Sequence, residues 1–479
     1  MRVRDAAAVG GAGRLRPEGA AGAAGRQGRI GAGFEAGVDI RAGVRAPPMT
    51  LPGAPFLERR AGELRLEGHA LASLARAFGT PLYVYSRGAM RAALAGYQHA
   101  LAGRRHLLCY AMKANSSLAV LQTFAQAGCG FDIVSGGELE RVLAAGGTAA
   151  KVVFSGVGKT RAEMQRALAA GVRCFNVESR GEIDRLDEVA RALGRRAPVS
   201  LRINPDIDAR THPYISTGLK SNKFGIAHAE ALAAYRHAAS LAGLEVVGID
   251  CHIGSQITRA EPYLDALDRL LDLVEAVEDA GVPIRHVDLG GGLGITYTDE
   301  TPPAAGELVG RILERLDARG HGARELLLEP GRSLVGNAGV LLTEVQYLKH
   351  GDPAEVAAGD AKNFCIVDAA MNDLLRPALY EAWMRIEPCV RRDARAERWD
   401  VVGPVCESGD WLGRDRPLAL APGDVLAVLS AGAYGMAMAS NYNSRARAAE
   451  LMVEGDSVHL IRAREALSDL YAHERLIDG

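Results

Sequence analysis

Eight short apolar runs alternate with amphipathic stretches through the middle of this 479-residue chain. The apolar runs, typical of strands buried on both faces, cover residues 107–112, 131–134, 152–155, 172–177, 199–203, 246–251, 286–289 and 325–328. The stretches between them have helical spacing and cover residues 118–127, 138–145, 160–170, 180–193, 229–242, 261–280 and 305–319. Eight such units over roughly 250 residues predict an α/β fold, a (β/α)8 barrel. Alternation alone also allows a doubly wound open sheet.

The sequence after this alternating region has a different character. Strand-like runs separated by Pro, Gly and Asp turns cover residues 340–347, 364–368, 398–402, 425–429 and 450–453. They predict a C-terminal, mainly β domain. We therefore expect a barrel over residues 81–335 and a β domain built from residues 49–80 together with residues 336–479.

Residues 1–48 contain mostly Gly, Ala and Arg and almost no large apolar side chains. A segment of this composition cannot bury enough surface to offset the entropy lost on ordering, so we expect a disordered extension outside the fold. Its arginines and its shortage of acids also resemble a transit peptide. Because Met49 stands just before the first globular-looking sequence, we favour a mis-assigned start over a targeting role.

Composition limits the classes of partner. A formal net charge of −2 argues against nucleic acid or an anionic membrane as the main partner. Seven cysteines without a CxxC pair indicate reduced thiols and a cytoplasmic protein. The charge-free run over residues 425–444 is long enough to cross a bilayer, but it contains Gly432, Gly435, Asn441 and Asn443, so it predicts a strand and a loop instead.

In a (β/α)8 barrel, functional side chains collect at the C-terminal ends of the strands. Polar residues or glycines follow nearly every predicted strand, namely Lys113, Asp132, Ser155, Glu178, Arg202 with Asn204, His252, Gly290-Gly291-Gly292, and Glu329 with Arg332. Several of them would serve only as caps or turns. The series as a whole predicts a functional site at this end of the barrel.

Lys113 ends the first predicted strand, inside the run YAMKANS at residues 110–116. A partly desolvated lysine loses its charge readily and becomes an amine nucleophile that can form a Schiff base. The alternative is a surface lysine just past a strand. The chain contains only seven lysines against dozens of arginines, and only lysine can form an imine, which favours a functional lysine here.

Two glycine-containing motifs follow late strands. Gly290–Gly294 (GGGLG) could present backbone N–H groups to a phosphate, as loops after late barrel strands often do, or could be a plain turn. The motif HIGSQ follows the sixth strand. Its His252 could stack on a flat cofactor ring and its Ser255 could donate to phosphate, whereas the alternative is a hydrogen-bonded histidine in a turn.

The motif EPGR follows the eighth strand. A buried carboxylate at Glu329 could hold a pyridinium nitrogen protonated, which strengthens the ring as an electron sink. The guanidinium of Arg332 could bind a carboxylate through two hydrogen bonds. The alternative is a structural ion pair between Glu329 and Arg332.

Two further motifs lie in the predicted β domain. Arg376 and Tyr380 are four residues apart, and Pro377 between them favours a shaped loop over a simple helix. The motif CESGD places the thiol of Cys406 beside the carboxylate of Glu407. A cysteine can donate a proton, and a glutamate can receive a substrate ammonium, although a lone cysteine is more often buried and inert.

Together these motifs resemble those of the diaminopimelate decarboxylases, which are pyridoxal-phosphate enzymes of the alanine-racemase-like barrel type. The resemblance runs from about Met49 to the end of the chain and rests on YAMKANS, FDIVSGGE, HPYISTG, KFGI, HIGSQ, GGGLG, EPGRSLVGNAG, MNDLLRPALYEA and CESGD. Other decarboxylases of this fold share only the cofactor motifs. HPYISTG (212–218), RPALYEA (376–382) and CESGD are the stretches that point to diaminopimelate.

The resemblance implies a pyridoxal-phosphate-binding (β/α)8 barrel with a C-terminal mainly β domain, pyridoxal 5'-phosphate as cofactor, and no metal. Lys113 would hold the cofactor as a Schiff base, and Cys406 would be the proton donor. The residues implied to contact the cofactor are Lys113, His252, Ser255, Gly291, Gly292, Glu329, Pro330, Gly331, Arg332 and Tyr434. The residues implied to contact the substrate are Arg332, Arg376, Tyr380, Glu407 and Tyr434.

The implied reaction removes CO2 from the D-centre of meso-2,6-diaminopimelate and yields L-lysine, the last step of lysine biosynthesis. Cys406 and Glu407 would come from the partner subunit of a homodimer with shared active sites. Three alternatives stay open: the same chemistry on ornithine, arginine or carboxynorspermidine; amino-acid racemisation; and a non-catalytic pyridoxal-phosphate-binding homologue. Ornithine, arginine and carboxynorspermidine would leave the distal Arg and Glu contacts unused. A non-catalytic homologue would not need Arg376 or Cys406.

Overall fold

The computed structural model describes residues 50–207 and 222–477. The predicted extension over residues 1–48 and the HPYISTG motif at residues 212–218 lie outside the described residues. Every other motif named above falls within them.

The alternating region forms a closed barrel of eight parallel strands. They are His106–Ala111, Gly130–Ile133, Val152–Phe154, Cys174–Val177, Ala197–Asn204, Leu244–Asp250, His286–Asp288 and Glu325–Leu328. The ring closes because the last strand pairs with the first, while Cys174–Val177 pairs with Ala197–Asn204 in the middle of the order. The predicted barrel is therefore confirmed, and the open-sheet alternative is wrong.

The helices between these strands also agree with the sequence pattern. In chain order they are Leu118–Gln126, Gly136–Ala144, Arg161–Ala170, Arg180–Ala192, His228–Ser240, Glu261–Asp279 and Ala305–Ala318. Shorter helices are Leu71–Phe78, Arg332–Val335, Pro353–Ala358 and Arg376–Tyr380. Each barrel helix turns an apolar stripe toward the strands, which is why periodicity located them.

One long helix, Arg87–Ala100, was not anticipated from the sequence. It precedes the first barrel strand and packs against Ala305–Ala318, where it completes the ring of helices around the barrel. Its buried residues Met90, Leu94 and Tyr97 are spaced four and three apart. The Ser86 side chain accepts a hydrogen bond from the Ala89 N–H and caps the first turn.

The interior of the barrel changes from apolar to acidic along its strands. A small buried cluster fills the end nearer the strand N-termini and consists of Leu107, Cys109, Val153, Cys174, Val247 and Leu327. Nearer the C-terminal ends of their strands, Asp132, Asp250 and Asp288 are buried. Burying ionisable groups is unfavourable unless they are paired, so this end of the barrel is built for chemistry rather than for stability.

A second, mainly β region follows the barrel, as predicted. Its large sheet contains Trp411–Leu418, Glu397–Val402, Phe364–Val367, Gly339–Lys349, Leu82–Ser86, Ala449–Glu454 and Ser457–Arg462 in spatial order, with Ile386–Pro388 and Val425–Val428 alongside. Leu57–Arg60, Glu63–Leu66 and His69–Ala70 form a separate three-stranded sheet. The short strand Ile226–Ala227 pairs parallel with the end of the barrel strand Ala197–Asn204.

The strand Leu82–Ser86 belongs to this second sheet. It pairs antiparallel with Gly339–Lys349 and parallel with Ala449–Glu454, although residue 82 falls inside the range predicted for the barrel. Leu82 and Val84 pack into one apolar cluster and Tyr83 and Tyr85 into another, so both faces of the strand are buried. The exact domain limits stay a prediction.

The charge-free run over residues 425–444 consists of the strand Val425–Val428 followed by loop and short 3-10 turns, as predicted. Over residues 50–207 and 222–477, no helix combines the length and the apolar character needed to cross a membrane.

Candidate active site

Lys113 lies in a short 3-10 turn, Met112–Ala114, directly after the first barrel strand. Its Nζ lies 2.5 Å from a carboxylate oxygen of Asp132, a residue that is fully buried. Burial favours the neutral amine, but the negative charges of Asp132 and Glu329 outweigh it and raise the pKa of Lys113 above its usual value. The expectation that Lys113 loses its charge readily is therefore wrong, because these carboxylates favour its ammonium form.

Three carboxylates lie together on the neighbouring strands. Asp250, Asp288 and Glu329 are buried, and one oxygen of each lies within 4.8 Å of the others. Burial, together with the negative charges of Asp132 and Asp288, raises the pKa of Glu329 well above its usual value. Burial beside Asp132 raises the pKa of Asp288 to about 7. Among the described residues, Oε1 of Glu329 has no hydrogen-bond partner. This oxygen can therefore accept from a group that enters the site.

His252 and the glycine run are joined by a hydrogen bond. The Gly291 N–H donates to Nδ1 of His252 over 3.2 Å, so Nδ1 accepts and the imidazole is neutral with its proton on Nε2. Burial, together with Arg202 and Lys113, lowers the pKa of His252 well below its usual value. A β-carbon at Gly291 would lie 2.0 Å from the carbonyl oxygen of Glu329, and Gly292 has φ +106°, so both positions require glycine.

Arg332 and Arg376 converge on one phenol oxygen. Nη1 of Arg332 donates to Oη of Tyr297 over 2.5 Å, and Nη1 of Arg376 donates to the same oxygen over 2.7 Å. Arg332 also donates to Oγ of Ser255 over 3.1 Å. Both arginines are buried, and neither forms an ion pair with a carboxylate in the described parts of the chain. Two buried cations that contact only neutral oxygens form a site for an anion.

Tyr434 lies over the same group from the β region. Its N–H donates to the carbonyl of Ala114 over 2.7 Å, and its ring stands 4.8 Å from the guanidinium carbon of Arg332. The carbonyl of Pro330 accepts from the Ala111 N–H over 3.1 Å, which fastens the loop of Pro330 and Gly331 to the end of the first strand. Tyr434, Lys113 and Arg332 are thus brought together.

Arg376 begins a short helix that ends at Tyr380. The predicted loop at this position is wrong, because Pro377 occupies the first turn, where the missing N–H of proline costs no helical hydrogen bond. Arg376 is buried, and Tyr380, one turn further along the same helical face, is half-buried.

Cys406 and Glu407 are both exposed. The Cys406 N–H donates to Oδ1 of Asn443, and the Glu407 carboxylate beside the hydroxyl of Tyr442 raises the pKa of that tyrosine. Within the described residues, neither side chain forms a hydrogen bond or ion pair with Lys113. The chain therefore displays these two groups on its surface.

Three groups in this site escaped sequence analysis. Asp288 lies two residues before the glycine run, and Gln256 ends the HIGSQ motif, so both had a positional signal. Tyr297 lies beyond the glycine run, and its role depends on two arginines that are 35 and 79 residues away in sequence. No local pattern identifies it.

Comparison with known proteins identifies the family. Residues 87–336 match the pyridoxal-binding domain of the pyridoxal-dependent decarboxylases. The diaminopimelate decarboxylase of Pseudomonas aeruginosa is 60% identical over 418 residues, which cover 87% of this chain and 98% of that protein.

Solved structures agree with these sequence matches. A crystal structure of diaminopimelate decarboxylase from M. jannaschii in co-complex with L-lysine is 38% identical to this chain and has a TM-score of 0.83. The match covers 89% of this chain and 99% of that chain. The enzyme from Helicobacter pylori complexed with L-lysine is 42% identical, with a TM-score of 0.79 and coverage of 84% and 98%. With a closed barrel, a lysine at the end of its first strand and these relatives, the chain belongs to the diaminopimelate decarboxylases, a family of pyridoxal-phosphate-dependent carboxy-lyases.

Proposed function

We propose that this site decarboxylates meso-2,6-diaminopimelate at its D-centre and yields L-lysine and CO2. The observation that carries the proposal is the pair of buried guanidiniums, Arg332 and Arg376, which converge on one point without a carboxylate partner among the described residues. A substrate with a second, distal α-amino-carboxylate supplies the missing anion. The names and identities of the relatives support the same substrate.

The residues present fit pyridoxal 5'-phosphate. Gly291 and Gly292 leave no room for side chains, so their backbone can approach a phosphate closely, and Ser255 adds a hydroxyl. Glu329 offers a buried carboxylate oxygen without a partner for the pyridine nitrogen. The neutral, buried imidazole of His252 suits stacking on an aromatic ring. Pro330, Gly331, Arg332 and Tyr434 border the same space.

When bound, pyridoxal phosphate supplies an electron sink for the electron pair left behind by CO2. Lys113 would supply the amine that holds the cofactor, and Asp132 pairs with the ammonium form of this lysine when it carries no covalent bond. The Glu329 carboxylate would accept a hydrogen bond from a protonated ring nitrogen and balance its charge, which would favour the electron-accepting form of the ring.

The distal end of the substrate is gripped by opposite charges. Arg332 and Arg376 bind its carboxylate, with Tyr380 and Tyr434 beside them, and Glu407 binds its ammonium. Ornithine, arginine and carboxynorspermidine lack this distal α-amino-carboxylate, so they would leave two buried cations unpaired. The free-energy cost of leaving these buried cations unpaired disfavours all three as substrates.

Cys406 donates the proton that replaces CO2 on the substrate carbon, and water restores the thiol proton. We propose that Cys406 and Glu407 reach the site from the partner subunit of a homodimer. Their exposure, and the absence of any hydrogen bond or ion pair from either side chain to Lys113 or Arg376 among the described residues, support this arrangement.

We also propose a cytoplasmic location. All seven cysteines lie in the described residues, six are buried, and none is paired in a disulfide, as in proteins kept in a reducing compartment.

The test is an assay of the purified holoenzyme with meso-diaminopimelate in which CO2 and lysine are both measured. We expect the two products in equal amounts. The LL isomer is a matched control because it has two L-centres and no D-centre, and it should release no CO2. Comparable turnover of ornithine or arginine would overturn the substrate assignment. Racemisation of diaminopimelate without release of CO2 would overturn the assignment of the reaction as a decarboxylation.

A further inference from the structure

Tyr297 stands at the point where the two site arginines meet. Its ring is buried, and its Oη accepts hydrogen bonds from Nη1 of Arg332 and from Nη1 of Arg376. The guanidinium carbon of Arg376 also lies 4.9 Å from the centre of the Tyr297 ring. The tyrosine thus contacts each arginine directly, whereas the two like charges repel each other.

The phenol group has one bonding position left. A tyrosine hydroxyl accepts at up to two positions and donates at one. Both accepting positions of Tyr297 are taken by arginines, and among residues 50–207 and 222–477 no acceptor receives its proton. The hydroxyl proton is therefore available to an anion that the two guanidiniums bind.

The loop that carries Tyr297 is fixed independently of the arginines. The Gln256 amide donates to the Ile295 carbonyl over 2.6 Å and accepts from the Ile295 N–H over 3.1 Å. On the other side, the Glu300 carboxylate accepts from the N–H groups of Tyr297 and Thr298 over 2.9 and 2.7 Å. With the backbone held on both sides of Tyr297, its hydroxyl is preorganised for a ligand.

We propose that Tyr297 binds the distal carboxylate of the substrate: it holds Arg332 and Arg376 on a shared oxygen and donates its own hydroxyl proton to the carboxylate that they bind. The inference rests on the proposed function and deepens it, because it adds a third donor for one end of the substrate. A neutral donor between two cations also selects for a carboxylate over an uncharged end group.

The test compares two ligands that differ only in the carboxylate. L-Lysine retains the distal α-amino-carboxylate of the substrate, whereas 1,5-diaminopentane is lysine without its carboxylate. Binding of each to the holoenzyme is measured by calorimetric titration for wild type and Tyr297→Phe. We expect the dissociation constant for L-lysine to rise roughly 10- to 100-fold, the range for a hydrogen bond to a charged group, and that for the diamine to change less than about twofold.

Steady-state kinetics give a second readout. The variant should raise KM for meso-diaminopimelate by a similar factor and leave kcat within about threefold, because the distal carboxylate does not react. Tyr235→Phe is the matched control, since the Tyr235 hydroxyl is also buried and donates to the Gly248 carbonyl inside the barrel wall. This control should leave the ratio of the two dissociation constants unchanged.

Equal weakening for both ligands, or no weakening for L-lysine, would overturn the proposal. If Tyr297→Phe does not fold, Glu300→Ala takes its place, because it frees the loop and leaves the phenol intact. Glu300→Ala should weaken the binding of L-lysine, but not of the diamine, by a smaller factor than Tyr297→Phe. Weaker binding of the diamine as well would count against the proposal. Wild-type turnover of meso-diaminopimelate tests the proposed function separately, since a protein without that turnover still reports which ligand depends on Tyr297.

Discussion

The ammonium group of Lys113 is paired with the buried carboxylate of Asp132 across two neighbouring barrel strands, with 2.5 Å between Nζ and Oδ2. Lysine needs a neutral amine to bond to an aldehyde, yet this pairing raises the pKa of Lys113 and favours the ammonium. Asp132 therefore stabilises the ammonium form of Lys113 whenever this lysine carries no covalent bond. The ion pair must break before Lys113 can form that bond.

The covalent role of Lys113 can be read from the visible spectrum. Purified wild type should absorb in the visible through the bond between Lys113 and pyridoxal phosphate, and Lys113→Ala should lose that band because no other amine takes its place. Lys151→Ala is the matched control, since Lys151 is exposed and, within the described part of the chain, donates to the Gly128 carbonyl alone. A visible band that survives in Lys113→Ala would assign the covalent bond to another residue.

Sharing of sites between subunits predicts complementation. Lys113→Ala and Cys406→Ala should each be inactive alone, whereas a mixed dimer contains one site with both defects and one site with neither. Random mixing makes about half the dimers mixed, so roughly a quarter of wild-type decarboxylase activity should return after co-expression.

The structure supplies a matched control for that experiment. Arg376 shares a hydrogen-bond acceptor with Arg332 of its own chain, so Arg376 and Lys113 belong to the same half of the site. Co-expression of Lys113→Ala with Arg376→Ala should therefore restore no activity. Activity that fails to return for Lys113→Ala with Cys406→Ala, although mixed dimers form, would mean that each chain completes its own site.

The glycine run should tolerate no side chain at Gly291. Gly291→Ala forces a β-carbon against the Glu329 carbonyl, so we expect a loss of roughly 1–3 kcal/mol in unfolding free energy together with weaker cofactor binding. Gly310→Ala is the control, because that glycine lies in the helix Ala305–Ala318 with open space around its α-carbon and alanine favours helix. Chemical denaturation and titration of apoenzyme with pyridoxal phosphate measure both effects, and equal stability of the two variants would contradict the steric argument.

Asp288 should make stability depend on pH. Its pKa is about 7 in the folded chain against 3.8 for a free aspartate, so between these values the folded protein holds a proton that the unfolded chain has lost. Stability therefore falls as pH rises through this range. Asp288→Asn removes the titration and keeps an oxygen that can accept from the Gly290 N–H.

The measurement is the melting temperature of wild type and Asp288→Asn at pH 5, 6, 7 and 8. Relative to wild type, the variant should gain stability steadily up to pH 7 and little beyond it. Asp279→Asn makes the same chemical change at the exposed end of a helix and serves as the control. A stability difference between Asp288→Asn and wild type that does not change with pH would show that Asp288 is already ionised at pH 5.

Sequence patterns located the barrel because its strands are buried on both faces and its helices on one, so each type of element carries its own period. The helix Arg87–Ala100 was missed because it precedes the first strand, although Ser86 and the spacing of Met90, Leu94 and Tyr97 mark it. Pro377 was misread because a proline in the first turn of a helix and one in a loop look alike without the neighbouring structure.

The site was only partly predictable for a different reason. Lys113, His252, Glu329 and Arg332 each follow a strand, and a barrel brings the ends of its strands together, so position along the chain was informative. The charge of Lys113 and the role of Tyr297 depend instead on which side chains lie opposite in space. Those distances are set by the closure of the barrel and leave no trace in local sequence.

The place of Leu82–Ser86 in the second sheet bears on how the chain is made. Its two neighbours, Gly339–Lys349 and Ala449–Glu454, leave the ribosome more than 250 and 360 residues later, respectively. During synthesis the barrel can close while this early strand still lacks both partners. Tyr434, whose N–H donates to the carbonyl of Ala114 next to Lys113, also emerges only near the end, so the turn that carries Lys113 lacks this contact until translation is almost complete.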